Sequence, residues 1–299
     1  MIGQPLALLL LLAAPAPATA GIDAPPYRII HPPELSREAG EVASAVPVVV
    51  QRLSAALQAP PPHPATLYLV TYGSASMAGG LEQAMPEWAA GIAMPSEHVV
   101  ILRADRVGSW RQRQLIGVLA HETAHLLMHE AAGAGAGSMP AWFREGVAAN
   151  LARDGEWLDF IYLWVSPIPS SSHPLADLSF GFTDAASPVL VRAAYAGSYS
   201  FLRRVMADHG AALPARVLAG LREGRTFDEA WSAAAGAPLA ADEAAWSASI
   251  RGRGRWAALL TSSSALWVAL TLLVVLAWLI KRRRGARVMD RWSREEPWE

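Results

Sequence analysis

The chain has 299 residues, 53% of them hydrophobic, with 25 Lys and Arg against 26 Asp and Glu and no cysteine. That length suffices for one large domain or two small ones with an ample core, and the lack of cysteine excludes disulfides and thiolate metal ligands. Residues 21–256 carry 18 basic and 22 acidic groups, a net charge of −4 that gives no electrostatic case for nucleic acid as a partner.

Residues 1–20, MIGQPLALLLLLAAPAPATA, combine an apolar run from Leu6 to Ala14 with small residues ending Ala18-Thr19-Ala20. This pattern predicts a secretory signal peptide cleaved before Gly21, although its first residues hold no Lys or Arg. Residues 21–64 form a Pro-rich N-terminal segment. Within it Glu34 to Leu57 has helical apolar spacing interrupted at Pro47, which predicts a kinked helix or two short ones, and Pro60 to Pro64 reads as a linker. Three short apolar segments follow, Thr66 to Val70, Trp88 to Ala93 and His98 to Leu102, separated by turn-forming and charged residues; they are expected to be strands of one small sheet. His31, His63 and His98 fall in loops or at a strand edge and are assigned no role.

A helix is predicted over Trp110 to Glu130. It contains His121-Glu122-Thr123-Ala124-His125, an H-E-x-x-H pattern inside the apolar runs Leu115 to Ala120 and Leu126 to Met128. Histidines four residues apart lie one turn above each other, so both imidazoles can reach one metal while Glu122 projects beside them toward a water molecule. That is the pattern of a zinc-dependent hydrolase. Gly133 to Ser138 ends the helix in a Gly-rich loop, and a second helix begins at Pro140. There Glu145 shares an apolar face with Trp142, Ala148 and Ala149, where a buried carboxylate needs a cation or a hydrogen-bond donor.

Catalytic zinc usually takes three protein ligands and leaves a fourth position for water. The arrangement H-E-x-x-H-x-x-G-x-x-H needs Gly at 128 and His at 131, where this chain has Met128 and Ala131. His129 lies eight residues from His121, about 12 Å along the helix axis, too far to share the ion. Glu145, on a second helix joined to the first by the Gly-rich loop, is the best third ligand.

Residues 153–189 show no clear period and are expected to form a lid or cleft wall. Helical spacing returns from Val189 to His209 and in pieces over Leu213 to Ile250, followed by a basic juxtamembrane linker at 251–256. Residues 257–280 carry no charge and would span about 36 Å as a helix, enough for a bilayer core of about 30 Å. Lys281-Arg282-Arg283-Arg284 stops the run abruptly, and residues 281–299 carry seven basic and four acidic groups, which predicts one transmembrane helix with a cytoplasmic tail.

HETAH followed by Trp142-Phe143-Arg144-Glu145-Gly146-Val147-Ala148 resembles the gluzincin metallopeptidases, in particular the membrane-associated peptidase MA-like family. The looser stretches Ala194 to Tyr199 and Gly224 to Trp231 resemble that family's tyrosine-bearing and closing helices. The resemblance covers roughly residues 65–250. It implies an α+β fold in which a small mixed sheet precedes a zincin-type metal helix and a mainly helical C-terminal half. It also implies Zn2+ held by His121, His125 and Glu145, with Glu122 as general base and a peptide or protein as substrate. Tyr195 or Tyr199 is then a candidate oxyanion donor, and His98 to Leu102 resembles the edge strand along which gluzincins lay substrate. Thermolysin-like members place an acidic residue four positions after the ligand Glu, where this chain has Ala149, and Asn150 is a possible substitute. With the two terminal apolar segments, the expectation is a membrane-anchored zinc metallopeptidase whose catalytic domain lies outside the cytoplasm, on the periplasmic side of a bacterial inner membrane. An inactive peptidase-like scaffold at the membrane and a metal hydrolase with a non-peptide substrate are the alternatives.

Overall fold

A computed structural model describes residues 19–80, 85, 89–106, 111–152, 174–182, 188–261, 270–278 and 281–282. The fold is mixed α+β, a five-stranded sheet followed by a mostly helical remainder. The chain divides into two units, residues 1–243 and 244–299.

The sheet consists of β1 (Ala20–Ala24), β2 (Tyr27–His31), β3 (Ala65–Val70), β4 (Gly91–Met94) and β5 (Val99–Arg103), in the order β1-β2-β3-β5-β4. The three central strands are parallel, and β1 and β4 pair antiparallel at the two edges. The three strands expected from the sequence are present; β1 and β2 are additional. They draw the N-terminal segment into the sheet, with Tyr27 opposite Ala65 and Ile30 opposite Tyr68. The alternation of inward Tyr27, Ile29 and His31 with outward Arg28 was the signal for β2, since a strand with one buried face alternates at period two.

The edge-strand expectation for His98 to Leu102 is corrected. β5 is paired on both sides, with β3 and with β4, because the chain turns back through Pro95 to Glu97 and inserts the later strand next to β3. The edge is β4.

Helix α1 (Ser36–Leu57) crosses from β2 to β3 as one continuous helix rather than two. Its buried stripe of Val42, Val46, Val49, Leu53 and Leu57 faces the protein, while Pro47 lies on the exposed side, where the carbonyl it leaves unpaired can meet water. α2 (Arg111–Ala132) packs beside α1 on the same face of the sheet, against β4 and β5. On the other face, Val70, Val99 and Ile101 pack with Ala78 of the turn Tyr72–Ala78.

After α2 the Gly-rich stretch is a short 3-10 helix, Gly133–Ser138, rather than an open loop, and it delivers the chain into α3 (Ala141–Ala152). Gly135 is required there, because a Cβ at that position would stand 2.3 Å from the Leu221 carbonyl oxygen. Further helices among the described residues are α4 (Pro174–Phe180), α5 (Pro188–His209), α6 (Leu213–Arg222), α7 (Phe227–Ala235) and α8 (Leu239–Thr261). α7 is closed at both ends, by a Thr226–Glu229 capping box and by Gly236 in the left-handed conformation. An aromatic cluster joins α3, α5 and α7: Trp142 lies edge-on to Phe201 at 5.2 Å, Phe143 to Phe227 at 5.2 Å, and Phe201 stacks on Trp231 at 5.7 Å. This cluster fixes the register of α3 and so the direction of its one carboxylate, Glu145.

α8 continues through the residues expected as a juxtamembrane linker. Among the described residues no helix is long and apolar enough to cross a membrane. The expected span 257–280 includes residues 262–269 and 279–280, which lie outside the described residues. So do residues 1–18 of the expected signal, 153–173 and 183–187 of the expected lid, and 283–299 of the tail. Within residues 244–299, the helical stretch 270–278 exposes Leu272, Leu273 and Val274 at 63–66% of their surface.

Candidate metal centre

α2 carries two of the three expected ligands and α3 the third. Helical spacing places the His121 and His125 rings 4.9 Å apart at 74° to each other. From the facing helix Glu145 brings Oε2 to 3.3 Å from His121 Nε2 and 3.6 Å from His125 Nε2. Among the described residues this trio is the one set of His, Asp or Glu ligand atoms that converges, all within 4.8 Å of one another. Donors about 2.0–2.1 Å from a tetrahedral zinc are about 3.3–3.4 Å apart, and the two distances from Glu145 are close to that spacing. The donor set suits zinc as well, and all three side chains are largely buried.

The helix hairpin is held at two further points. At α2, Thr123 donates its hydroxyl proton to the Leu119 carbonyl at 2.7 Å, which leaves its oxygen to accept from the Tyr27 hydroxyl at 2.9 Å. Both side chains are buried, and this bond ties the metal helix to β2. Burial, reinforced by the nearby Glu122 carboxylate, holds Tyr27 protonated as that donor. At α3, Gly146 lies against α5 so closely that a Cβ would fall 2.6 Å from the Ser198 carbonyl oxygen. The small residue next to the ligand carboxylate lets the two helices approach.

Glu122 is 6% exposed and lies beneath the edge strand. Its carboxylate accepts from the Ala93 backbone N–H, and a Cβ at Gly91 would stand 2.7 Å from its Oε1 and 2.6 Å from Val118 Cγ1. Gly91 is therefore the residue that lets β4 pass over Glu122. Sequence reasoning assigned it no role, although a glycine inside a strand signals close approach of another group. The Ala93 amide, being backbone, leaves no mark in the sequence. Burial raises the Glu122 pKa, the two histidines pull it back in part and Glu145 adds to the rise. Burial also works against ionised Glu145, but the charge of His125 and hydrogen bonds from both histidines prevail and hold it well below the usual carboxylate range. The two carboxylates thus divide. Glu145 is held anionic by the histidines, while burial disfavours the ionised form of Glu122.

The remaining candidates separate cleanly. Tyr195 of α5 lies in the site, with its hydroxyl hydrogen-bonded to Glu145 and its ring edge-on to Phe182 at 4.9 Å. Tyr199, one turn on, instead accepts a hydrogen bond from Arg203 at 2.8 Å on the exposed side. Asn150 does not orient the histidines. Its amide donates to the Gly146 and Tyr199 carbonyls at 2.7 and 3.0 Å, because its position one turn beyond Gly146 turns it toward α5. His129 takes no part in the cluster. His63 pairs with Glu130 at 2.5 Å, clasping the end of α2.

A sheet-backed helix hairpin that converges two histidines and a glutamate on one point is the arrangement of a zincin-like peptidase. The model of the Peptidase MA superfamily matches residues 45–252, and the chain belongs to that superfamily. The match starts within α1 and takes in every element that shapes the site except β1 and β2. No curated protein matches the chain.

Proposed function

We propose that the protein is a membrane-anchored, extracytoplasmic zinc metallopeptidase that hydrolyses peptide bonds with Glu122 as general base. The observation that carries the reading is the convergence of His121, His125 and Glu145 beside a separately buried Glu122. Zinc binding alone has no use for a carboxylate in that place. When bound, zinc supplies Lewis acidity, lowering the pKa of water and polarising a carbonyl. Glu122 then takes a proton from the attacking water and returns it to the departing amine.

Substrate backbone adds along the outer edge of β4, unpaired among the described residues, the strand that runs over Glu122, in the manner of β-augmentation. Main-chain recognition of this kind holds the scissile peptide next to the base with little dependence on side chains. Membrane anchoring rests on the uncharged stretch 257–280 and the arginine-rich residues after it, and the exposed leucines and valines of 270–278 suit a lipid environment.

The test is metal analysis and a broad peptide library applied to the full-length chain and to Glu122→Gln. About one zinc per chain and cleavage by the wild type are expected, with Glu122→Gln keeping its zinc and losing activity by a factor of about 10²–10⁴, the usual contribution of a general base. A metal-free wild-type protein would overturn the reading. Zinc without cleavage of any library member would instead favour a peptidase-like scaffold.

A further inference from the structure

Metal-ligating side chains are normally held in orientation by outer hydrogen-bond partners. On α3 itself, Asn150 is committed to two backbone carbonyls, and the outer hydrogen bond to the Glu145 carboxylate comes from α5, donated by the Tyr195 hydroxyl.

We infer that Tyr195 is the positioning residue of the metal centre, fixing the Glu145 carboxylate toward His121 and His125. The reading rests on the proposed zinc site and adds a role for α5 within it. Two observations support it. The tyrosine ring is braced edge-on by Phe182, and the backbone before Phe182 is set by Gly181, where a Cβ would lie 2.5 Å from the Ala194 Cβ. α5 is locked against α3 at Gly146, the residue next to the ligand, so the donor and acceptor helices cannot drift apart. A carboxylate held at one oxygen by a phenol has lost its freedom to rotate before the metal arrives, which favours binding.

The experiment measures zinc affinity by competition with a chromophoric chelator on the full-length protein, comparing wild type with Tyr195→Phe and Tyr199→Phe. Tyr195→Phe keeps the ring that meets Phe182 and removes only the donor. It is expected to weaken zinc binding about 10–100-fold, the usual cost of losing an outer-shell partner, with the melting temperature of the metal-free protein unchanged. Tyr199→Phe should bind zinc as wild type does. Unchanged affinity in Tyr195→Phe with only kcat reduced would overturn the inference in favour of a purely oxyanion-stabilising tyrosine. Equal weakening in both variants, or a fall in metal-free stability matching the loss of affinity, would reduce it to a packing effect. If wild type itself binds no zinc, the proposed function fails. Loss of this inference alone requires a wild type that binds.

Discussion

At the scale of single residues, Thr123 shows how a position inside the H-E-x-x-H pattern can hold the fold while its neighbours hold chemistry. Its hydroxyl sits between Leu119 and Tyr27, fully buried, and Tyr27 has no water to fall back on. Thr123→Val should destabilise the protein by about 1–3 kcal/mol, because the Tyr27 hydroxyl is left buried and unsatisfied. Adding Tyr27→Phe should recover part of the loss, since a pair removed together leaves no orphan. Denaturant unfolding of the two single variants and the double variant reads this directly, and additive losses would contradict it. The histidine pair and Glu122 were legible in the sequence because helical spacing is a local rule that four or five residues state completely. Glu145 was legible by its chemistry, a carboxylate on an apolar face. The Tyr195–Glu145 bond was not, because a phenol on a helix that begins more than 40 residues further on points nowhere until α3 and α5 are packed.

Among elements, β4 has the most specific requirement. Its passage over Glu122 depends on Gly91, and Gly91→Ala would put a methyl group into the space of Glu122 and Val118. Overpacking of this kind costs about 1–3 kcal/mol. Displacing the base by about 1 Å should reduce turnover by a factor of about 100. Steady-state kinetics and metal analysis should find zinc retained and kcat lost, whereas an unchanged kcat would mean that β4 does not set the position of Glu122. The end of α2 makes a second prediction. Partial burial acts to raise the Glu130 pKa, but hydrogen bonds and charge from His63 outweigh it and hold the group below its ordinary value near 4.5. A depressed folded-state pKa contributes stability above the unfolded value that disappears as pH falls through the folded one. Glu130→Gln should therefore lower stability by no more than about 0.5–1 kcal/mol at neutral pH, given the exposure of His63. The difference from wild type should shrink as pH falls below the ordinary carboxylate value and vanish below the lowered folded one. Thermal melts across pH 3–7 would show it, and a gap that persisted into acid would mean that the pair is not its source. Helices and strands as such were largely readable, since apolar period and glycine or proline punctuation are local. The identity of the edge strand was not. Strand order depends on where a crossover lands, and nothing within His98 to Leu102 records that this segment turns back to lie between β3 and β4.

At the scale of the whole chain, the two units carry different burdens. Residues 1–243 contain the sheet, the hairpin and the aromatic cluster, while residues 244–299 contain the apolar stretch whose leucines and valines at 270–278 lie exposed. A reporter fused after Glu299 should behave as cytoplasmic and one inserted just after Gly21, behind intact residues 1–20, as external. The opposite pattern would reverse the topology. β1 and β2 were missed because the stretch around Pro25 and Pro26 reads as coil by composition, and because the predicted cleavage site coincides with the start of β1. A segment that joins a sheet through its backbone needs few strong side-chain signals to do so.

The placement of the three ligands along the chain has a consequence for the order in which the molecule is made. His121 and Glu145 are 24 positions apart, on one hairpin closed by a short 3-10 turn, so closing the loop between them costs little entropy. Tyr195 and the α5 and α7 aromatics that set the register of α3 come later in the chain. The two helices of the hairpin are thus paired by local chain, while the direction of Glu145 is settled only when α5 and α7 pack against α3.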